Sequence, residues 1–342
     1  MQRREFILKT SLAGCSILGW AGCRPTGGNK DIVMTVTGPI SSSEMGFTLS
    51  HEHILVDFIG AKDFSPDRYN PDAVAKRYIP YLKELHKLGV RTFIECTPDY
   101  LGRDPALMRR ISGQTGVQIL TNTGYYGAHG SKFIPAHAIE ESAEQLADRW
   151  IREANKGIND TGILPGFIKI SVNKGSLTEM DRKLVRAAAI THRETGLLIA
   201  SHTSLTAESG NQQLEILKDE GVSPDAWVWV HASTVEPIEE LSKAFEAGAW
   251  ISFDKLRPNE KSVSRMCKCL AYAKKNGWLD QVLLSHDAGW YDPAKPDGGS
   301  HYPYTTYFTH LLQVAESWGL SGEELHRIMT LNPARAFSIK TR

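Results

Sequence analysis

Six polar side chains of the types that assist hydrolysis through a metal stand on or at the ends of β-rich runs. His51 and His53 flank Glu52 in the run Phe47–Phe58. Lys169 lies inside Phe167-Ile168-Lys169-Ile170. His202 and His231 close two further runs, and Asp287 closes the last. Side chains at i and i+2 of a strand share a face, so His51 and His53 aim together while Glu52 points away. Two imidazoles on one face, joined by two more histidines and an aspartate, suit a divalent transition metal.

Lys169 is the odd member. A bare ammonium between apolar neighbours is costly, and its pKa shifts down. A neutral amine near metal ions can react with carbon dioxide to form a carbamate, an anionic oxygen ligand able to bridge two metals. The alternative is a barrel lysine paired with a carboxylate such as Glu95 or Asp287.

These residues need a scaffold that brings strand ends together. Eight strand-like runs are legible: Phe47–Phe58, Arg91–Thr97, Val117–Tyr126, Gly166–Val172, Leu197–His202, Ala226–His231, Ala249–Asp254 and Gln281–Asp287. Between them lie amphipathic helical stretches at Asp72–Leu88, Thr178–Thr195, Glu236–Gly248 and Asn259–Asn276. Thr178-x-x-Asp181 is a capping box, and Gly89, Gly196, Gly248 and Gly277 are stops. The strand ends recur about every 33 residues, the length of one βα unit. Eight such units predict an α/β chain folded as a single (β/α)8 TIM barrel, whose catalytic groups gather at the C-terminal strand ends. No glycine-rich turn follows the first strand, which disfavours a doubly wound sheet.

The 342 residues suffice for a large core, with 41% hydrophobic and 23% charged residues. Thirty-nine basic residues balance 39 acidic ones. The basic excess of a nucleic-acid binder is therefore absent. At the N-terminus, Arg3-Arg4 precedes 13 uncharged residues from Thr10 to Gly22. That run is too short to span a bilayer and suits a twin-arginine-type export signal. Ala21-Gly22-Cys23 reads as a lipoprotein cleavage site with Cys23 as the lipidated residue. The expected division is a signal peptide over residues 1–22, a linker over 23–33 and a single (β/α)8 barrel domain over 34–342. The expected location is the periplasm, free or lipid-anchored in the membrane. Cys267 and Cys269 read as small buried hydrophobes.

Taken together, the motifs resemble the phosphotriesterase family of the amidohydrolase superfamily. Gly38-Pro39-Ile40 followed by Gly46-Phe47-Thr48-Leu49-Ser50-His51-Glu52-His53 resembles the family's opening motif. Gly166-Phe167-Ile168-Lys169, Ser201-His202-Thr203, Val230-His231, Ser285-His286-Asp287 and Asn332-Pro333-Ala334-Arg335 resemble its later ones. The resemblance implies a binuclear zinc centre and a hydrolase. His51, His53 and Asp287 would hold one metal, His202 and His231 the other, and carboxylated Lys169 would bridge them. Asp287 would also handle the catalytic proton. The implied partner is a small lactone or carboxyl ester, and a homodimer is common in the family. A phosphotriester is the alternative substrate.

Tyr126, after Thr123-Gly124-Tyr125, resembles a tyrosine that lies beside the metals in family lactonases. Lys255 stands where those lactonases carry a basic residue. It is expected either to orient substrate or to pair with Asp254. Trp290, Tyr291 and His301 are expected to roof the site and favour a small, polar, sugar-like ligand. Thr234 occupies the place of a family aspartate that relays protons. His129 and His137 read as surface residues. His286 should point away from the metals.

Overall fold

A computed structural model describes residues 31–203 and 205–339. The expected signal peptide, lipidation at Cys23 and most of the linker lie outside the described residues. The chain opens with an antiparallel hairpin, β1 (Ile32–Thr35) and β2 (Gly38–Ser41). Ile32 and Val33, read from sequence as the end of the linker, are thus already strand.

Nine parallel strand segments follow. They are β3 (Phe47–Glu52), β4 (Val90–Glu95), β5 (Gln118–Leu120), β6 (Asn122–Thr123), β7 (Phe167–Ser171), β8 (Ile199–His202), β9 (Trp227–Val230), β10 (Trp250–Phe253) and β11 (Val282–Leu284). They correspond to the eight predicted strands, because β5 and β6 are two halves of the third. The break at Thr121 divides the ladder into a sheet β3-β4-β5 and a sheet β6 through β11, each in chain order. The expected single barrel is therefore seen as two parallel sheets. A physical reason is Asn122, whose side-chain amide donates to Glu95 O and Thr97 O at 3.1 Å each, in place of a backbone ladder. Among the described residues no ladder joins β11 to β3. At the C-terminal end of β3, Asp287 N–H donates to His51 O and His53 N–H to Ala288 O, both at 3.0 Å.

Helices alternate with the strands: α1 (Pro71–Lys87), α2 (Pro105–Thr115), α3 (Ala136–Glu140), α4 (Ala143–Lys156), α5 (Glu179–Thr195), α6 (Ala207–Asp219), α7 (Ser242–Ala247), α8 (Glu260–Lys275), α9 (Leu312–Val314) and α10 (Gly322–Ala336). Their starts follow from capping chemistry. The Asn70 side chain accepts from Asp72 N and Ala73 N, and Pro71 supplies a first residue with no N–H to satisfy. Thr178 and Asp181 form the predicted box. The helix expected over Glu236–Gly248 is shorter, a 3-10 turn at Ile238–Leu241 leading into α7.

Two apolar layers lock this arrangement. Ile94, Leu120, Phe167, Ala200, Val228, Val230 and Leu283 come from six strands and form one buried cluster with Cys96, just past β4. Val33, Met45 and Phe337 join that cluster, so the hairpin and the end of α10 cover its base. A larger cluster holds the helices on the opposite strand faces. Strands buried on both faces account for their continuous apolar runs. Cys267 and Cys269 are buried in α8 as expected.

Candidate active site

All six candidate ligands line one cavity of about 150 Å³ at the C-terminal strand ends, and all are more than nine-tenths buried except His202, which is partly exposed. The imidazole rings stand in a row. His51 lies 5.3 Å from His53 and 5.0 Å from His231 between ring centroids, and His231 lies 4.4 Å from His202. Asp287 Oδ1 is 3.1 Å from His53 Nε2 and 3.6 Å from His51 Nε2. One ligand atom each from His51, His231 and Asp287 fall within 4.8 Å of one another, a group able to hold a metal ion.

Neighbouring groups fix which nitrogen two of the rings offer. His231 Nδ1 meets Asp254 Oδ1 at 2.6 Å, so Nδ1 carries the proton and Nε2 is left as a lone pair. Asp254 Oδ2 also accepts from His231 N–H at 3.0 Å and from Ser252 Oγ at 2.6 Å. His53 Nδ1 donates to Thr97 Oγ1 at 2.8 Å, and that hydroxyl donates onward to Glu95 Oε1 at 2.6 Å. His53 Nε2 therefore also faces the cavity unprotonated.

Burial lowers the pKa of His51, His202 and His231 and keeps these rings neutral, the form that binds metals. For Asp254 and Asp287 burial acts upward but is outweighed. The adjoining His231 and His51 rings hold Asp254 down, and the His231 ring with the Lys255 ammonium holds Asp287 down. Glu95 goes the other way, raised by burial to about 7. The donor set thus fits divalent metals: neutral imidazoles beside an ionised carboxylate.

Lys169 is 1% exposed, and burial lowers its pKa. Its Nζ donates to Ile170 O at 3.4 Å and forms no ion pair among the described residues. The alternative pairing with Glu95 or Asp287 is thus not seen. Gly124 gives β7 room: a Cβ there would lie 2.2 Å from Lys169 O, and its φ is +115°. His231, Asp287 and Trp290 are non-glycine residues with φ of +67°, +55° and +68°. Such strained backbone persists where surrounding contacts enforce it. At Asp287 the enforcing group is Arg257, which donates to His286 O and, at 2.8 Å, to Asp287 O.

The other expected residues divide. Tyr126, Lys255 and Trp290 all line the cavity. The Tyr126 hydroxyl is 3.2 Å from His202 Nδ1. Lys255 pairs with Asp287 Oδ2 at 3.3 Å rather than with Asp254. Tyr291 and His301 do not roof the cavity. His301 stacks on Tyr81 at 3.8 Å, and Tyr291 packs edge-on to Tyr78, because the eighth loop folds back onto α1. His129 is exposed yet lines the cavity, stacked on Tyr126 at 6.1 Å. Thr234 accepts from Leu205 N–H at 3.0 Å and donates to His231 O at 2.7 Å, a loop tie.

Sequence reasoning missed Asp254, Thr97, Glu95 and Arg257 as supports of the ligands. Asp254 carried a legible signal, a carboxylate ending an apolar strand. Arg257 carried none. Glu52, correctly read as pointing away, is a buried hub. Its Oε1 takes His286 Nδ1 at 2.6 Å and Ser285 Oγ at 2.8 Å, and Oε2 takes Ala288 N–H at 2.8 Å. His286 does not line the cavity. Its Nε2 accepts from Tyr307 N–H at 3.1 Å.

Comparison with known proteins agrees with this geometry. The model of the phosphotriesterase family matches residues 31–337. The chain is 30% identical to a phosphotriesterase homology protein of Escherichia coli over 309 residues, 87% of this chain and all of that protein. It is 28% identical to an aryldialkylphosphatase of Saccharolobus solfataricus, over 87% of this chain and 97% of that one. It is 23% identical to an N-acetyltaurine hydrolase of Tetraodon nigroviridis, over 90% of this chain and 98% of that one.

Proposed function

This chain belongs to the phosphotriesterase family and is a metal-dependent hydrolase, and from that premise we propose that it hydrolyses a small lactone or carboxyl ester at a binuclear zinc centre. The observation that carries the reading is the convergence of His51, His53, Lys169, His202, His231 and Asp287 on one cavity. His51, His53 and Asp287 would hold one metal and His202 and His231 the other, with Lys169, once carboxylated, as a further anionic oxygen ligand to the pair. Burial, which lowers the Lys169 pKa, and the absence of an ion pair at its Nζ among the described residues support carboxylation, which requires a neutral amine. The two metals supply Lewis-acid polarisation and a nucleophile available at neutral pH.

The chain's own residues do the rest. Asp254 and Thr97 orient His231 and His53. Arg257 holds Asp287 in its left-handed turn, with the carboxylate turned toward the cavity. Asp287, ionised and inside the cavity, accepts the proton that the attacking water loses. Tyr126, beside His202, and Trp290, beside His53, wall the place where the acyl group rests. The closure of the two sheets into one (β/α)8 barrel is part of this reading, supported by the Asp287–His51 and His53–Ala288 backbone bonds. Export through residues 1–22 and lipid attachment at Cys23 are supported by the paired arginines and the uncharged run alone.

A phosphotriester is the second reading, favoured by the similarity to an aryldialkylphosphatase and by the aromatic walls Phe58 and Trp290. Proton release by the zinc-loaded protein separates the two. Rapid turnover of lactones with slow phosphotriester turnover supports the first, the reverse supports the second, and silence on both contradicts an ester hydrolase.

A further inference from the structure

The cavity walls specify more than a reaction class. Outside the six ligands, the lining divides sharply in character. Val56, Leu101 and Trp290 belong to one apolar cluster with Tyr126, and Phe58 leans on Trp290 at 5.8 Å. A sugar ring carries several hydroxyls, and each buried without a partner is penalised. The Tyr126 hydroxyl is engaged with His202, and His129 stands exposed at the rim. These walls therefore suit hydrocarbon rather than the polyol expected from sequence.

One charged group interrupts the apolar wall. Lys255 is the one cation among the described lining residues outside the ligand set, with a side chain 36% exposed. Its backbone is fixed by Ser262 Oγ, which donates to Lys255 O at 2.8 Å. Its Nζ lies 3.3 Å from Asp287 Oδ2. The neighbouring Arg257 also approaches Asp287 Oδ2, at 3.6 Å, but it does not line the cavity and is held by the carbonyls of His286 and Asp287 and the face of Tyr302 at 5.1 Å. Lys255 thus offers a single compact ammonium directed at the cavity, beside the carboxylate that takes the reaction's proton.

We propose that the substrate is a small, largely apolar lactone or ester bearing one carboxylate, which Lys255 pairs while Phe58, Leu101 and Trp290 enclose the hydrocarbon part. This rests on the hydrolytic reading above and narrows it. Hydrolysis adds one water. Its oxygen bonds to the carbonyl carbon, the ring C–O bond breaks, one of the water's protons passes through Asp287 to the former ring oxygen, and the other is released as the new acid ionises, giving a hydroxy dicarboxylate. A cavity of about 150 Å³ suits a five-membered ring with a short substituent.

The test compares three lactones on the zinc-loaded protein: 5-oxotetrahydrofuran-2-carboxylate, its neutral carboxamide, and a neutral sugar 1,4-lactone. The expected kcat/KM favours the carboxylate by about ten- to hundred-fold, the range of a charge-assisted hydrogen bond. In Lys255→Met the carboxylate-to-carboxamide ratio falls to about one, mainly through KM, and Lys255→Arg restores part of it. Calorimetry with tetrahydrofuran-2-carboxylate, which lacks the scissile carbonyl, reads the same subsite without turnover and should show about tenfold weaker binding in Lys255→Met. Equal rates on carboxylate and carboxamide, or an unchanged ratio in Lys255→Met, overturn the anion subsite while leaving the hydrolase intact. No turnover of any lactone overturns the subsite together with the reading on which it rests.

Discussion

Asp254 Oδ1 lies 2.6 Å from His231 Nδ1, and the same carboxylate accepts from the His231 backbone N–H. One buried aspartate on the seventh strand end thereby fixes both the ring and the main chain of a residue held at φ +67°. Its other near neighbour is His51 Nδ1, at 3.7 Å. Asp254 therefore governs two candidate ligands without itself lining the cavity.

Replacing Asp254 by asparagine keeps the shape but offers an NH2 group to one of these contacts. That favours the wrong His231 tautomer, with the proton on the nitrogen that should bind metal. Metal affinity should fall about 10- to 100-fold, as for other supports of ligating histidines. Chelator competition on folded Asp254→Asn measures this, and wild-type affinity would remove Asp254 from the metal site.

Asp287→Asn removes the proton acceptor while retaining a donor atom. Turnover should drop about 10²- to 10⁴-fold, with part of the metal retained. Rates near wild type in a metal-loaded variant would show that the proton goes elsewhere.

Glu52 sits between two ligands in sequence yet serves the fold. Glu52→Gln turns an NH2 toward groups that already donate, and it breaks the buried pair with His286. Losing a hydrogen bond made to a buried charged group costs about 1.5–3 kcal/mol. Urea unfolding should report that loss even in chelator-treated protein. A loss seen only with metal present would make Glu52 a part of the metal site instead.

Acid should destabilise the metal-free protein. His51, His202 and His231 are held neutral by burial, so below about pH 6.5 the unfolded chain binds protons that the native state refuses. Unfolding free energy then rises with pH in that window and falls on acidification. Glu95 opposes this between its usual 4.5 and about 7, where the native state keeps a proton the unfolded chain has lost. Three histidines outweigh one glutamate. Stability should fall from about pH 6.5 to about pH 5, by about 1.4 kcal/mol per pH unit for each net proton. Urea titrations at those two pH values test it, and a flat or rising trend on acidification contradicts it.

The strands, their order and the gathering of the six candidate ligands at one cavity were legible because strand ends and βα spacing are written locally in the chain. The H-x-H of His51 and His53 works through a two-residue period that survives folding unchanged. The break at Thr121 was not legible, because it depends on the Asn122 amide reaching carbonyls of the previous strand. Tyr291 and His301 were misplaced for a similar reason. A loop's composition does not say which way it folds, and Gly289 lets this one approach closely enough that a Cβ would lie 1.9 Å from His53 O. The partner of Lys255 was likewise a tertiary matter, since Asp287 is 32 residues away.

The central claim is a metal pair bridged through Lys169. The most direct measurement titrates zinc into chelator-stripped protein in bicarbonate buffer, following bound metal and lactone turnover together. The account predicts two ions per chain, activity appearing with the second, and no more than one ion with little turnover in Lys169→Ala. Full activity at one ion per chain, or two ions and wild-type turnover in Lys169→Ala, would contradict it.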